Sequence, residues 1–384
     1  MATTLISGVQ YSGIWTLQQA HDAIAASNWP IGSPQFLFSW GNPAPGTYTS
    51  AGGIKSSPVQ VGSEARWNKL SGGRNSSFFI KTDGSLFGFG TNDLGQLGLG
   101  NLTYQSNITQ IGALTTWANV EGSWEGAYAI KTGGTLWAWG SGTYGQLGLG
   151  NITSYSSPVQ VGLLTDWLQV VGGYHCAWAI KTDGTLWSWG RNQLGQLGSG
   201  TTVNRSSPVQ IGALTTWSKI SAGHSWALAI KTDGSLWAWG RNITGQLGDG
   251  TTTSRSSPVQ IGSDYDWSST FGKRCTIAIK TNGTLWAWGD GSMYGQLGLN
   301  NTTQYSSPVQ VGVLTNWLQI AGGGYLNKAI KTDGTLWVWG YNSAGSLGLS
   351  GVNGTGTSSP TQVGALTTWI SVAAGSYYGI ATRR

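Results

Sequence analysis

Three histidines, two cysteines and fourteen acidic residues are all that this 384-residue chain offers to acid–base, nucleophilic or metal chemistry. None of His21, His175 and His224 has a second histidine or cysteine at a useful ligand spacing. His175 adjoins Cys176, but neighbours on a strand point to opposite faces, so the two make no dyad. Most of the carboxylates fall in turns, whereas glycoside hydrolysis needs two that converge. No glycine-rich loop leads into a helix as a phosphate cradle does. The expectation is a protein that is not an enzyme and holds neither metal nor cofactor.

What would position any site is a repeat of about fifty residues. Residues 230–250 read IKTDGSLWAWGRNITGQLGDG, and near copies begin at Ile80, Ile130, Ile180, Ile279 and Ile330, with one single-residue deletion and one single-residue insertion in the spacing. Leu236, Trp237, Ala238 and Trp239 alternate as a strand does, which puts both tryptophans on one face. The Asp233-Gly234 pair before them is a hairpin signal. One unit offers four strands: A over 217–222, B over 226–232, C over 235–240 and D over 258–261. Pro258 removes a ladder donor and makes D the outer edge, and the small residues ending A make it the innermost strand.

Three markers count the units. The glycine closing strand C recurs at Gly41, Gly90, Gly140, Gly190, Gly240, Gly289 and Gly340, and the tryptophan opening strand A and the Pro-Val-Gln-type strand also give seven each. The chain starts with a C–D half-unit at Phe36 and finishes with an A–B half-unit, so a ring can close without a free edge. The expected fold is all-β, a closed seven-bladed propeller of four-stranded antiparallel blades over 34–384. A repeated buried tryptophan adds at most about 4–6 kcal/mol at roughly 25 cal/mol per Å².

The signature AIKTDGTLWxWGxNxxGQLGxG followed by a Pro-Val-Gln strand resembles the RCC1 (regulator of chromosome condensation) family of seven-bladed propellers over about residues 36–384. The resemblance implies the fold, and a fold hosts many functions. Two features of the family's nucleotide-exchange member are missing, a basic tail and a wedge-like insertion within a blade. The family's histidine before strand B is also replaced, by Ser76, Gly126, Cys176, Trp226, Cys275, Leu326 and Tyr378. Exchange activity is therefore not expected to carry over.

Residues 1–33 lie outside the repeat and read as an anchoring segment. Thr16 caps a short helical stretch through 26 with Leu17, Ala20 and Ile24 as its apolar stripe, and Pro30 lies beyond its end. Such a helix is too short to stand alone in water and needs another surface. Residues 11–30, YSGIWTLQQAHDAIAASNWP, are similar to a segment in structural proteins of tailed bacteriophages. Tyr11, Ile14, Trp15, Leu17 and Ile24 would do the anchoring.

Only 9% of the residues are charged and the net charge is +6. Asp83, Asp183, Asp233 and Asp333 answer the lysine of their own turn, while Asn282 and Gly133 leave two lysines uncompensated. The other cations are scattered along the chain as solvated charge, and a nucleic-acid partner would call for a patch. No apolar run is long enough to span a membrane, and the start lacks the pattern of a secretion signal. Cys176 and Cys275 read as buried fillers in a reducing compartment. The Asn-x-Ser/Thr triplets at Asn101, Asn151, Asn242 and Asn301 read as turns.

The units themselves show where variation gathers. Most positions are nearly fixed, but the A–B connections read Arg74-Asn75, Trp124-Glu125, Tyr174-His175, His224-Ser225, Lys273-Arg274, Gly324-Tyr325 and Ser376-Tyr377. They share one face with the long C–D connections, and the other face displays the Lys-Thr-Asp-Gly turns. Varied loops on a rigid scaffold commonly form binding sites, although unconstrained drift gives the same pattern. The candidate partner-binding residues are Arg74, Asn75, Trp124, Glu125, Tyr174, His175, His224, Trp226, Lys273, Arg274, Tyr325 and Tyr377. The first reading is a virion structural or adhesion protein of a tailed phage, assembled in the host cytoplasm. Residues 1–33 would bind other virion proteins, the loop face would take a host-surface protein or glycan, and the particle could hold a homo-oligomer. The alternatives are a cellular RCC1-like interaction module or GTPase regulator, and a tryptophan-rich lectin.

Overall fold

The protein is described by a computed structural model that covers residues 35–42, 55–350, 354 and 356–384. Seven four-stranded antiparallel sheets succeed one another, each in the order A-B-C-D. Blade 4 shows the plan: A is Trp217–Ala222, B is Trp226–Lys231, C is Leu236–Gly240 and D is Arg255–Gln260. Blades 1, 2 and 3 open at Trp67, Trp117 and Trp167, and blades 5 and 6 at Trp267 and Trp317. One 3-10 turn, Ser343–Gly345, is the only helical element among the described residues.

Blade 7 closes the ring. Its C strand, Phe36–Gly41, and D strand, Lys55–Gln60, come from the start of the chain; its A strand, Trp369–Ala374, and B strand, Tyr378–Arg383, come from the end. Phe36 pairs with Arg383, and the register runs without a break to Gly41 against Tyr378. The sheet therefore has no free inner seam where the two termini meet.

The outer strand is longer than its sequence signal. D of blade 4 begins at Arg255, three residues before Pro258. Its pairing with C runs through Gln260 and Val259 and resumes at Arg255, with a register shift between. Pro258 sits in that interruption, where its missing N–H forfeits no ladder bond. Gly240, at φ +100, lies at the same irregularity, and a Cβ there would stand 2.5 Å from the Ser225 carbonyl.

The core lies between blades. Trp217 meets Trp237 and Trp239 edge-on at 6.0 and 6.2 Å, and Trp239 is fully buried. These rings pack with Ile180, Leu186, Leu197 and Ile211 of blade 3. The Gly-Gln-Leu-Gly loop supplies polar partners: the Trp189 indole N–H donates to the Gln146 carbonyl at 2.8 Å, and Trp288 donates to Gln246 at 3.1 Å. Gly248 at φ +84 lets that loop approach, since a Cβ there would lie 2.6 Å from Trp288 Nε1.

One sequence expectation changes here. The turn lysines are not simply solvated or paired with their neighbouring aspartates. Lys231 Nζ lies 3.7 Å from the Trp237 ring and 5.1 Å from Trp217, and Lys131 and Lys331 repeat the arrangement. Asp233 instead accepts hydrogen bonds from the Ser235 hydroxyl and amide, which hold its carboxyl below the usual range. The long C–D loops are held by shared devices. Asn242 is fully buried, accepts from the Leu247 amide, and donates to the Thr251 and Thr253 carbonyls; Asn92 and Asn192 do the same in their blades.

Candidate functional site

Strand A ends where the sheets converge, so the seven A–B connections crowd around the axis. Backbone bonds link them from blade to blade: Arg74 N–H to Ser123, Trp124 to Gly173, Tyr174 to His224, His224 to Lys273, Gly324 to Ser376, and Ser376 to Arg74. Among the described residues no such bond joins blade 5 to blade 6. The reason is local. The connection in blade 5 has only Lys273 and Arg274 between Gly272 and Cys275, one residue fewer than blade 4. The same blade's C–D connection is one residue longer than blade 4's, so both irregularities of the repeat fall on one face of one blade.

The loops bring most of the expected residues together. The Arg74 guanidinium lies 4.5 Å over the Trp124 ring. Trp124 meets Tyr174 edge-on at 4.8 Å and His224 at 4.7 Å, although His224 is two blades away. Tyr174 also touches His175 at 3.8 Å. His175 Nε2 is 3.3 Å from the Glu125 carboxylate, and its ring stacks on Tyr144 at 4.3 Å. Across the mouth, Arg274 lies 4.1 Å over Tyr325, which meets Tyr294 at 5.4 Å, and Tyr294 stacks on Tyr341 at 3.9 Å. Tyr377 is exposed on the same face and influences Tyr294.

Electrostatics distinguish the three histidine-bearing or acid-bearing spots. His224 is driven down to about 3 by burial, reinforced by Lys273, Arg274, Arg241 and Arg74 around it. His175 is also lowered by burial, with Glu125 working against that. Glu121, on strand A of blade 2, is pushed up to about 7 by burial, opposed by Lys273 and by a bond from the Ser71 hydroxyl at 3.1 Å. Blades 2 and 5 are as far apart as a ring of seven allows, so the Glu121–Lys273 attraction crosses the axis. Burial lowers Lys273 in turn, and Glu121 opposes it.

Some expected residues fall elsewhere. Trp226 is a correction: it is 2% exposed and belongs to the blade 4–5 core, not to the partner-binding face. Gly223 and Gly272, whose added Cβ atoms would meet its ring, leave the space it fills. Asn75 is half-buried and its carbonyl receives the Thr91 amide, a role in the loop itself. Tyr11, Ile14, Trp15, Leu17 and Ile24 lie outside the described residues. Sequence reasoning missed Glu121, Tyr144, Arg191, Arg241, Tyr294 and Tyr341. Comparing units could have found Glu121, which stands where the others place Ser71, Val171, Ser221, Phe271, Ala321 and Ala373.

The chemistry this arrangement supports is recognition. Both cysteine thiols are buried and pushed up, to about 12 for Cys176 and about 11 for Cys275, so neither is a ready nucleophile. Among the described residues no three histidine, cysteine or acidic side chains gather as a metal site, and no helix is long and apolar enough to cross a membrane. A cavity of about 210 Å³ lies between blades 6 and 7, lined by Phe38, Pro58, Trp369 and Arg383 among others. Its one cation, Arg383, is already seated 4.3 Å over Phe38.

Comparison with known proteins decides the family. The Regulator of chromosome condensation (RCC1) repeat matches residues 133–180, 183–230, 233–273, 282–330 and 333–382, more than half of the chain. The chain belongs to the RCC1 repeat family. A second description of the repeat matches residues 217–246. Human WBSCR16 is similar in fold at 20% identity and TM-score 0.80, covering 92% of this chain and 99% of its own. Prp20p from Saccharomyces cerevisiae, described with binding properties to Gsp1p and histones, gives 19% identity, TM-score 0.79, and coverage of 91% and 92%. Yeast RCC1 (Prp20) bound by Kap60 gives 18% identity, TM-score 0.82, and coverage of 100% and 95%. At these identities the likeness concerns the fold alone. Compared by sequence with curated proteins, the chain matches none.

Proposed function

We propose that this RCC1-family chain is a protein-interaction module that docks a partner on its A–B loop face and performs no covalent chemistry itself. One observation carries the reading: the seven A–B connections differ from one another yet converge in a single aromatic and cationic cluster, while the opposite face repeats one turn. Drift alone gives different residues but does not assemble them into Arg74–Trp124–His224 and Arg274–Tyr325–Tyr294 contacts. Exposed Leu102, Ile152, Val203 and Ile243 on the C–D loops add apolar area to the same face. Prp20p from Saccharomyces cerevisiae, described with binding properties to Gsp1p and histones, offers a parallel.

Nucleotide exchange on a small GTPase is the narrower version of this reading. The replaced histidines and the regular blade spacing count against it, and a panel of GTPases measures it directly. A photo-crosslinking residue at Tyr174 should capture a discrete partner from the source cells, and one at Thr232 on the opposite face should not. Capture from Thr232 alone would refute the docking face.

The virion reading is carried by residues 11–30 and their likeness to phage structural proteins. Mass spectrometry of purified particles tests it: a stoichiometric copy of this chain supports it, and particles without the chain remove it. The lectin reading predicts glycan binding that Trp124→Ala abolishes; Trp226, a core residue, is no probe of it.

A further inference from the structure

The axial mouth has more cations than its acids can balance. Arg74, Arg241, Lys273 and Arg274 all act on His224. The acids nearby are engaged: Glu121 faces Lys273 and accepts from Ser71, and Glu125 holds His175. No residue of the chain among those described receives a hydrogen bond from the Arg74, Arg241 or Arg274 guanidinium. Arg74 and Arg274 rest on the faces of Trp124 and Tyr325, which fixes the planes of their forks while leaving the N–H edges free.

Two ring nitrogens point the same way. Nε2 of His224 and Nε1 of Trp124 are buried, and neither has a hydrogen-bond partner. The two rings are in contact at 4.7 Å, so both unsatisfied groups belong to one spot. A buried N–H without an acceptor costs free energy that an arriving acceptor recovers. The indole is a donor only, and His224 among four cations stays neutral, so one ring nitrogen can donate to a ligand without a charge cost. A cationic ligand would meet repulsion at this place, and a neutral one would leave the surplus charge unanswered.

We propose that the axial mouth is an anion-binding site that takes a carboxylate or phosphoryl group between Arg74, Arg274, His224 and Trp124. The inference rests on the docking reading and names the chemistry of what the partner presents: an oxyanion inserted at the axis, with the rest of the partner across the loop face. Glu121, on strand A of blade 2, attracts Lys273 and repels an arriving anion, which limits the affinity for it.

The test uses the full chain and two probes, inorganic phosphate and a tetra-glutamate peptide, titrated separately while the Trp124 indole and His224 imidazole resonances are followed. Movement of both resonances with phosphate alone assigns a phosphoryl source, and with the peptide alone a carboxylate source; either supports the site. Arg74→Ala and Arg274→Ala should each weaken binding about tenfold, the loss of one charge-assisted bond, and Glu121→Gln should tighten it about twofold by removing a repelling charge. Should an alanine variant melt early, Arg74→Lys keeps the charge without the planar fork and still weakens binding. Lys231→Ala, on the opposite face, leaves binding unchanged. Neither resonance moving at millimolar probe, or affinity surviving both alanine substitutions, overturns the site. A partner that crosslinks at Tyr174 while neither probe binds would sink this inference and leave the docking reading standing.

Discussion

On one face of the disc the Lys231 ammonium lies over Trp217 and Trp237, and Lys131 and Lys331 lie the same way over their own ring pairs. On the other face Arg74 also lies over a tryptophan, but that tryptophan touches a histidine two blades away. The same cation–aromatic chemistry thus serves two ends. In the turns it is local, repeated by the sequence unit and finished within one blade. In the A–B loops it is assembled across blades from residues that occur once each. A contact made within every repeat stabilises the scaffold wherever it occurs. One made only by the closed ring exists to build a surface at a single place.

The largest effect that can break this comparison is on stability. Trp239→Ala empties a fully buried site between blades 3 and 4 and should cost about 3–5 kcal/mol. Trp124→Ala removes a half-buried ring and should cost about 1 kcal/mol. Denaturant midpoints measure both. Equal losses would mean that the loop-face aromatics are scaffold like the others.

Removing one turn cation should have a smaller effect. Lys231→Ala loses its contact with two rings, worth about 0.5–1 kcal/mol at a partly exposed site. The melting temperature should fall slightly with partner binding unaltered. A binding defect from this change would move function to the turn face.

The smallest predicted effects are net slopes with pH, because two groups of the axial mouth oppose each other. Glu121 is held at about 7, above the ordinary carboxylate value of roughly 4.3. Its contribution is complete below about 4.3 and is lost as pH rises through about 7. His224 is held near 3, below its ordinary value of roughly 6.5. Its contribution is complete above about 6.5 and is lost as pH falls toward 3. The two slopes oppose each other between about 4.3 and 6.5. Glu121→Gln should therefore leave stability rising with pH in that window, and His224→Asn should leave it falling. Unfolding free energies measured at several pH values distinguish the pair; identical slopes in both variants would mean that neither group lies in the enclosed mouth.

The scaffold was readable because its signals are local and repeated. The alternation of Leu236 to Trp239, the tryptophan opening each strand A and the half-units at each end gave the strands, their number and the closure. The RCC1 resemblance stated from the signature matches the family to which the chain belongs. What escaped depends on contacts between distant residues. Trp226 looked like a loop-face aromatic because it opens strand B beside the variable pair, and only the empty volumes at Gly223 and Gly272 turn it into core. Glu121 and Lys273 are 152 positions apart in sequence and meet only across the axis. The length of the C–D loops is visible in sequence, while the bonds from Asn92, Asn192 and Asn242 that hold them are not. Residues 1–33, read from sequence as an anchoring segment, lie outside the described residues.

Hydrogen exchange of the full chain with and without its captured partner tests the central claim most directly. The two-face account predicts new protection at 74–75, 124–125, 174–175 and 273–274, with the turns at 231–234 and 331–334 unchanged. Protection concentrated in those turns, with the A–B loops exchanging as before, would contradict it.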